Sequence, residues 1–84
     1  MKIITVINIQ RYTGILLDTK TFANIDDQTT EGYDQAVKYF MNMILKLEPD
    51  SNNDRITQAI KVGRFDSNIE QLYIVNSYIE NIQI

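Results

Sequence analysis

The sequence predicts a small α+β fold, a mostly antiparallel sheet of three to four strands with one main helix packed on one face, in the order ββα(α)β. Three observations predict it. β-branched side chains crowd the first ten residues and the stretch around Leu72-Tyr73-Ile74-Val75. A long stripe of apolar residues at helical spacing lies between them, and turn-forming residues fall where sheet and helix must be joined.

Residues 2 to 10 carry apolar side chains on both alternating faces, Ile3, Ile7 and Ile9 on one and Ile4 and Val6 on the other. That pattern predicts a strand covered on both faces. Arg11-Tyr12-Thr13-Gly14 supplies a turn, and residues 15 to 22 read as the return strand of a hairpin, with Ile15 and Leu17 opposing Leu16 and Phe22 across its faces.

A polar connection, Ala23 to Thr29, leads into a helix over residues 30 to 48. Asp27, Thr29 and Thr30 are its candidate N-caps, Glu31 and Asp34 place anions in its first turn, and Lys46 places a cation near its end before Pro49 stops it. Tyr33, Val37, Phe40, Ile44 and Leu47 form one stripe, extended by Ala36 and Met43, and this face is expected to pack on the hairpin. Tyr39 lies beyond one margin of the stripe, and Met41 and Leu45 beyond the other. The apolar belt is wider than a one-sided surface helix requires.

After the turn Asp50 to Asp54, residues 54 to 62 offer Ile56, Ala59 and Ile60 at helical spacing, with Gly63 suited to follow a helix C-terminus. A short helix is the reading adopted, although Ile60 and Val62 also fit a strand. Asp66-Ser67-Asn68 reads as a turn, and Ile69 to Tyr78 as the second strand region. The tail Ile79 to Ile84 alternates Ile79, Ile82 and Ile84 imperfectly, and either extends that strand or forms a short final one. No repeat, low-complexity tract or linker breaks the chain, so residues 1 to 84 are expected to form one domain.

Composition excludes more than it assigns. With no histidine there is no side chain whose unperturbed pKa lies near neutrality, and with no cysteine there is neither a thiol nucleophile nor a disulfide. A structural zinc site lacks its usual ligands, so no cofactor or metal is expected. A chain this short buries only about 60 to 65% of its unfolded surface, which leaves good packing and self-association as the means of holding it folded. Fourteen isoleucines and five tyrosines argue against disorder. No secretory signal and no apolar run of about 20 residues is evident, and the expected location is the cytoplasm.

Eight basic residues dispersed among eleven acidic ones supply no basic stripe, so direct nucleic-acid binding is not expected. Residues 21 to 34 concentrate the negative charge, in Asp26, Asp27, Glu31 and Asp34. These carboxylates offer oxygens to a hard cation, but no glycine-rich loop stands by to hold the phosphate such a cation usually serves. Asp50-Ser51-Asn52-Asn53-Asp54 resembles the start of a calcium loop until Arg55 falls where glycine must turn the chain and Lys61 where a bidentate glutamate must close the cage. Ser51, Ser67 and Ser77 sit in no recognisable nucleophile motif, so no catalytic residue is assigned.

What remains is contact. The expected function is that of a non-enzymatic protein-binding module, a homodimer, of the kind a phage or mobile element uses to bind and inhibit a host protein. A structural or regulatory subunit acting through homo-oligomerisation is the alternative. The abundance of isoleucine with eight asparagines fits an AT-rich genome. Candidate partner-binding residues are Arg11 and Tyr12 at the hairpin tip, the acidic set Asp26, Asp27, Glu31 and Asp34, and Tyr39, Met41 and Leu45 on the flanks of the helix stripe. The strands around Ile3 to Ile9 and Leu72 to Val75 are apolar and poor in charge, and an uncovered edge of that kind invites pairing with another chain, as does the second face of the sheet.

Overall fold

The computed structural model describes residues 2–24 and 30–78. Strand β1 (Lys2–Gln10) and strand β2 (Leu16–Asn24) form the hairpin, helix α1 (Glu31–Leu47) and helix α2 (Asn53–Val62) follow, and strands β3 (Arg64–Asp66) and β4 (Glu70–Tyr78) complete a four-stranded antiparallel sheet. The spatial order is β2-β1-β4-β3. The α+β class, the main helix and the short second helix are as the sequence predicts.

The central positions go to β1, the most β-branched strand, and to β4. β1 and β4 pair along their whole lengths, from Lys2 opposite Tyr78 to Gln10 opposite Glu70. Neither of these two strands is therefore left as an uncovered edge that invites pairing. Their apolar runs are satisfied only with a neighbour on both sides, so β2 and the three-residue β3 take the outside. A further strand does lie outside the three main strand regions, but it is β3, which precedes the Ser67 turn. The tail Ile79 to Ile84 lies outside the described residues.

Register sorts the side chains of β1. Ile4, Val6 and Asn8 are buried on one face, and Ile4 and Val6 join Phe40, Ile44, Ala36, Leu72, Ile56, Ala59 and Phe65 in the core. Both helices pack on this one face. Ile3, Ile7 and Ile9 point to the other, which no element among the described residues covers, and they are only partly buried by their neighbours. Among the described residues β1 is therefore covered on one face, and they form two layers. Asn8 interrupts the buried row, and its side-chain amide donates to Glu70 Oε1 at 3.0 Å.

The entry to α1 departs from the expected caps. Thr30 holds the N-cap position but its side chain makes no capping bond, while Asp27 and Thr29 lie outside the described residues. The buried Asn24, at the end of β2, fills the role from a distance by accepting the backbone N–H of Gly32. Strand and helix are thereby fastened together where the connection leaves them. α2 is capped locally: Asn52 Oδ1 accepts from Arg55 N at 2.8 Å, and Gly63 follows the helix at φ 83°, a conformation that suits glycine. Gly63 then starts the return to the sheet by accepting a bond from Ile74 N.

Candidate protein-binding surfaces

The β1–β2 and β3–β4 turns emerge at the same end of the sheet, because β1 and β4 are antiparallel neighbours. Arg11 joins them. Its backbone N–H donates to Ile69 O at 2.9 Å, and its guanidinium donates to Ser67 O at 2.8 Å while lying over the Tyr12 ring at 5.9 Å. Ser67 closes its own turn by accepting Glu70 N at 2.9 Å, and Gln10 N closes the hairpin on Ile15 O at 2.8 Å.

This fastened end displays apolar surface. Tyr12 is 80% exposed, Ile69 62%, Leu16 58%, Ile15 57% and Leu17 47%. The start of β2 explains part of it. The pairing shifts between Asn8 and Ile9, so that Asn8 faces Asp18, Ile9 faces Leu16, and Leu17 is the extra residue of a bulge. None of Ile15, Leu16 and Leu17 is buried by a described element. The remaining exposed large apolar side chains among the described residues, Leu45, Val62 and Val75, are scattered over other elements.

Glu31 and Asp34 stand exposed in the first turn of α1, where Thr30 Oγ1 donates to Asp34 Oδ2 at 3.0 Å. This turn lies by Asn24 and Lys2, at the opposite end of the sheet from Tyr12, so the length of β1, roughly 27 Å, separates the acidic turn from the apolar tip. Asp26 and Asp27 lie outside the described residues.

The three helix-flank candidates do not form one patch. Tyr39 and Met41 are about 200° apart around the helix. Tyr39 leans over β2, its hydroxyl donating to Asp18 Oδ2 at 3.0 Å, its ring 5.9 Å from that of Phe22 and beneath the Lys20 ammonium at 4.8 Å. The bond to the Asp18 carboxylate, then burial, then the Asp18 charge raise the Tyr39 pKa above its ordinary value. Met41 packs against the core on the opposite flank. Leu45, one turn on, is exposed.

Sequence reasoning passed over Ile15, Leu16, Leu17 and Ile69 as contact residues. Three consecutive apolar residues entering a strand cannot all face one core, and that signal was present in the run Ile15-Leu16-Leu17. Asp18 and Lys20 carried no such mark, since their meeting with Tyr39 depends on how α1 crosses β2.

Elsewhere, Arg55 on α2 bridges to Glu48 at 2.8 Å and lies over the Phe65 ring at 4.8 Å, while Arg64 on β3 is paired with Asp66 at 3.0 Å and lies over Tyr73 at 5.4 Å. These arginines line a shallow surface hollow with Ala59 and Val62, and their charges are already partnered by carboxylates. Among the described residues no group of three or more carboxylates gathers to hold a metal ion, and no helix is long and apolar enough to cross a membrane. Comparison of the chain with protein-family models, with curated proteins and with solved structures finds no match.

Proposed function

We propose that this chain is a non-enzymatic protein-binding module, and that it acts by docking on a host or cognate protein and inhibiting it, as a phage or mobile-element factor does. The observation that carries the reading is the apolar tip. Tyr12, Ile15, Leu16, Leu17 and Ile69 crowd exposed onto one end of the sheet, around two turns that Arg11 ties together. Isolated exposed apolar residues are ordinary, but several gathered at one end of a sheet on a fastened support suit a contact surface. Because the turns are held by backbone bonds, docking orders little new chain and forfeits little entropy. Tyrosine and arginine side by side suit the centre of such an interface.

Capture of a partner from a host lysate tests this. The expected result is one stoichiometric partner retained at moderate salt by the wild-type chain and lost by Tyr12→Ser combined with Ile69→Ser. Both side chains are exposed, so the fold is retained. Truncating anchors of this kind costs about 2 kcal/mol or more each, which is roughly 30-fold in affinity. Capture that is equally strong with both variants removes the tip from the proposal. The acidic set Asp26, Asp27, Glu31 and Asp34 is a second proposed contact, suited to a basic surface on the target. Reversing Asp26 and Asp27 to lysine tests it: lost capture supports the contact, and unchanged capture removes it.

A second reading, assembly through homo-oligomerisation, is favoured by one observation. β2 is a nine-residue strand at the margin of the sheet, and among the described residues no further strand pairs with its outer backbone groups.

A further inference from the structure

We propose that two copies of this chain pair antiparallel through their β2 strands, with the two-fold axis at Thr19, to make one eight-stranded sheet; the inference rests on the contact-only reading and names a second copy as one partner.

The free backbone groups can be located from the ladder. Gln10 N bonds across to Ile15 O, on the β2 side, whereas Arg11 N bonds to Ile69 O, on the β4 side. Alternation along β1 then directs the backbone groups of Val6 and Asn8 to β2, so that Lys20 and Asp18, their partners, bond inward. Thr19, Thr21 and Ala23 are left with N–H and C=O pointing away from the sheet. A second β2 therefore pairs these positions with the same class of position on itself.

Several registers satisfy that rule, and the side chains choose among them. With the axis at Thr19, Asp18 of each copy stands directly across from the partner's Lys20, so both charges of the strand are matched twice over. The same register sets Leu17 across from the partner's Thr21 and Leu16 across from the partner's Phe22, giving cover to two leucines that are exposed in the single chain. An axis at Asp18 or at Lys20 sets like charges together. An axis at Thr21 leaves Leu16 and Leu17 beyond the described part of the partner strand and Lys20 without its carboxylate. Lysine on an edge strand ordinarily discourages pairing. Here Asp18, two residues away, turns that block into a selector for this chain's own register.

Complementary mutants test the register. Asp18→Lys and Lys20→Asp each set like charges across both symmetry-related pairs, and each is expected to weaken self-association about tenfold or more, as read by light scattering over a concentration series. Mixing the two variants restores opposite charges at every crossing, so a mixed dimer of wild-type strength is expected. Thr19→Pro, which removes only an outward N–H, is expected to give a monomer with an unchanged far-ultraviolet spectrum, and it carries the test if a charge variant fails to fold. Dimers that persist in all three variants, or single variants that stay apart when mixed, overturn the proposal. So does dissociation caused instead by Ile7→Asp or Val75→Asp, which would place the contact on the open sheet face. A wild-type chain that is monomeric at every concentration also overturns it, and lysate capture through Tyr12 and Ile69 then decides the binding-module reading separately.

Discussion

Replacing Gly32 by alanine sets two physical effects of opposite sign against each other. Gly32 lies in the first turn of α1, where helix propensity by itself favours alanine by up to about 1 kcal/mol. A Cβ at this position, however, would stand 2.5 Å from Asn24 Oδ1, 2.6 Å from Ala23 O and 2.7 Å from Ala23 C. Two of these three atoms are backbone, in a strand residue paired with Ile3 of β1, and cannot swing aside as a side-chain tip can. The helix start must instead move away from β2, which also stretches the bond between Gly32 N–H and Asn24. Overpacking of this kind costs about 1 to 3 kcal/mol, and weakening the buried bond adds about 1 kcal/mol. The clash outweighs the propensity gain, leaving a net loss of about 1 to 3 kcal/mol. For a domain of this size that corresponds to a fall in Tm of roughly 5 to 20 °C. Thermal unfolding followed by far-ultraviolet circular dichroism at fixed protein concentration reads it. Asn24→Ala supplies the control: it removes one of the three close atoms but leaves the carbonyl of Ala23, so Gly32→Ala must remain destabilising in that background. A Tm that is unchanged or raised by Gly32→Ala would refute the close approach of helix and strand at this point.

Further expectations concern other parts of the molecule. Asn24→Ala alone strands a buried N–H and should lower stability by about 1 to 3 kcal/mol, measured by urea denaturation, whereas Thr30→Ala, whose side chain makes no cap bond, should change little. Phe40 is fully buried at the centre of the core, so Phe40→Ala should cost about 3 to 5 kcal/mol, a large share of the total stability of a chain this size, and a near-native unfolding midpoint would contradict its placement. Tyr39 should ionise above the ordinary tyrosine value because its hydroxyl donates a hydrogen bond to the Asp18 carboxylate, and Asp18→Asn should bring the titration back down, as followed by the ring-carbon NMR shift. The sign is that of a raised folded-state pKa: the contribution to stability is present below the ordinary tyrosine pKa and is lost as pH rises through the folded one. Gly63→Ala should destabilise, because its φ of 83° is strained for alanine and a Cβ would meet Ile74 O at 3.0 Å.

Much of this fold was legible in local pattern. The stripe from Tyr33 to Leu47 marks one side of a helix whatever it packs on, and Asn52, Gly63 and Pro49 act on the backbone within a turn of themselves. β3 escaped notice because Arg64-Phe65-Asp66 carries one apolar residue and is a strand only through its pairing with β4. The candidate contacts divide in the same way. Tyr12 and Arg11 could be singled out because a turn must expose its residues, while Ile69 became part of the same surface only when β4 was laid beside β1.

By itself the chain determined its class, its two helices, the strand character of its ends and its lack of histidine and cysteine chemistry, since each follows from side-chain type and short-range periodicity. Only the tertiary structure decided which strands became edges and which face of β1 the helices cover. It also decided that Asn24 caps a helix six residues beyond β2 and that Asp18 lies against Tyr39. These are relations between residues far apart in sequence. They are set by which apolar surfaces bury one another, and no local pattern encodes that choice.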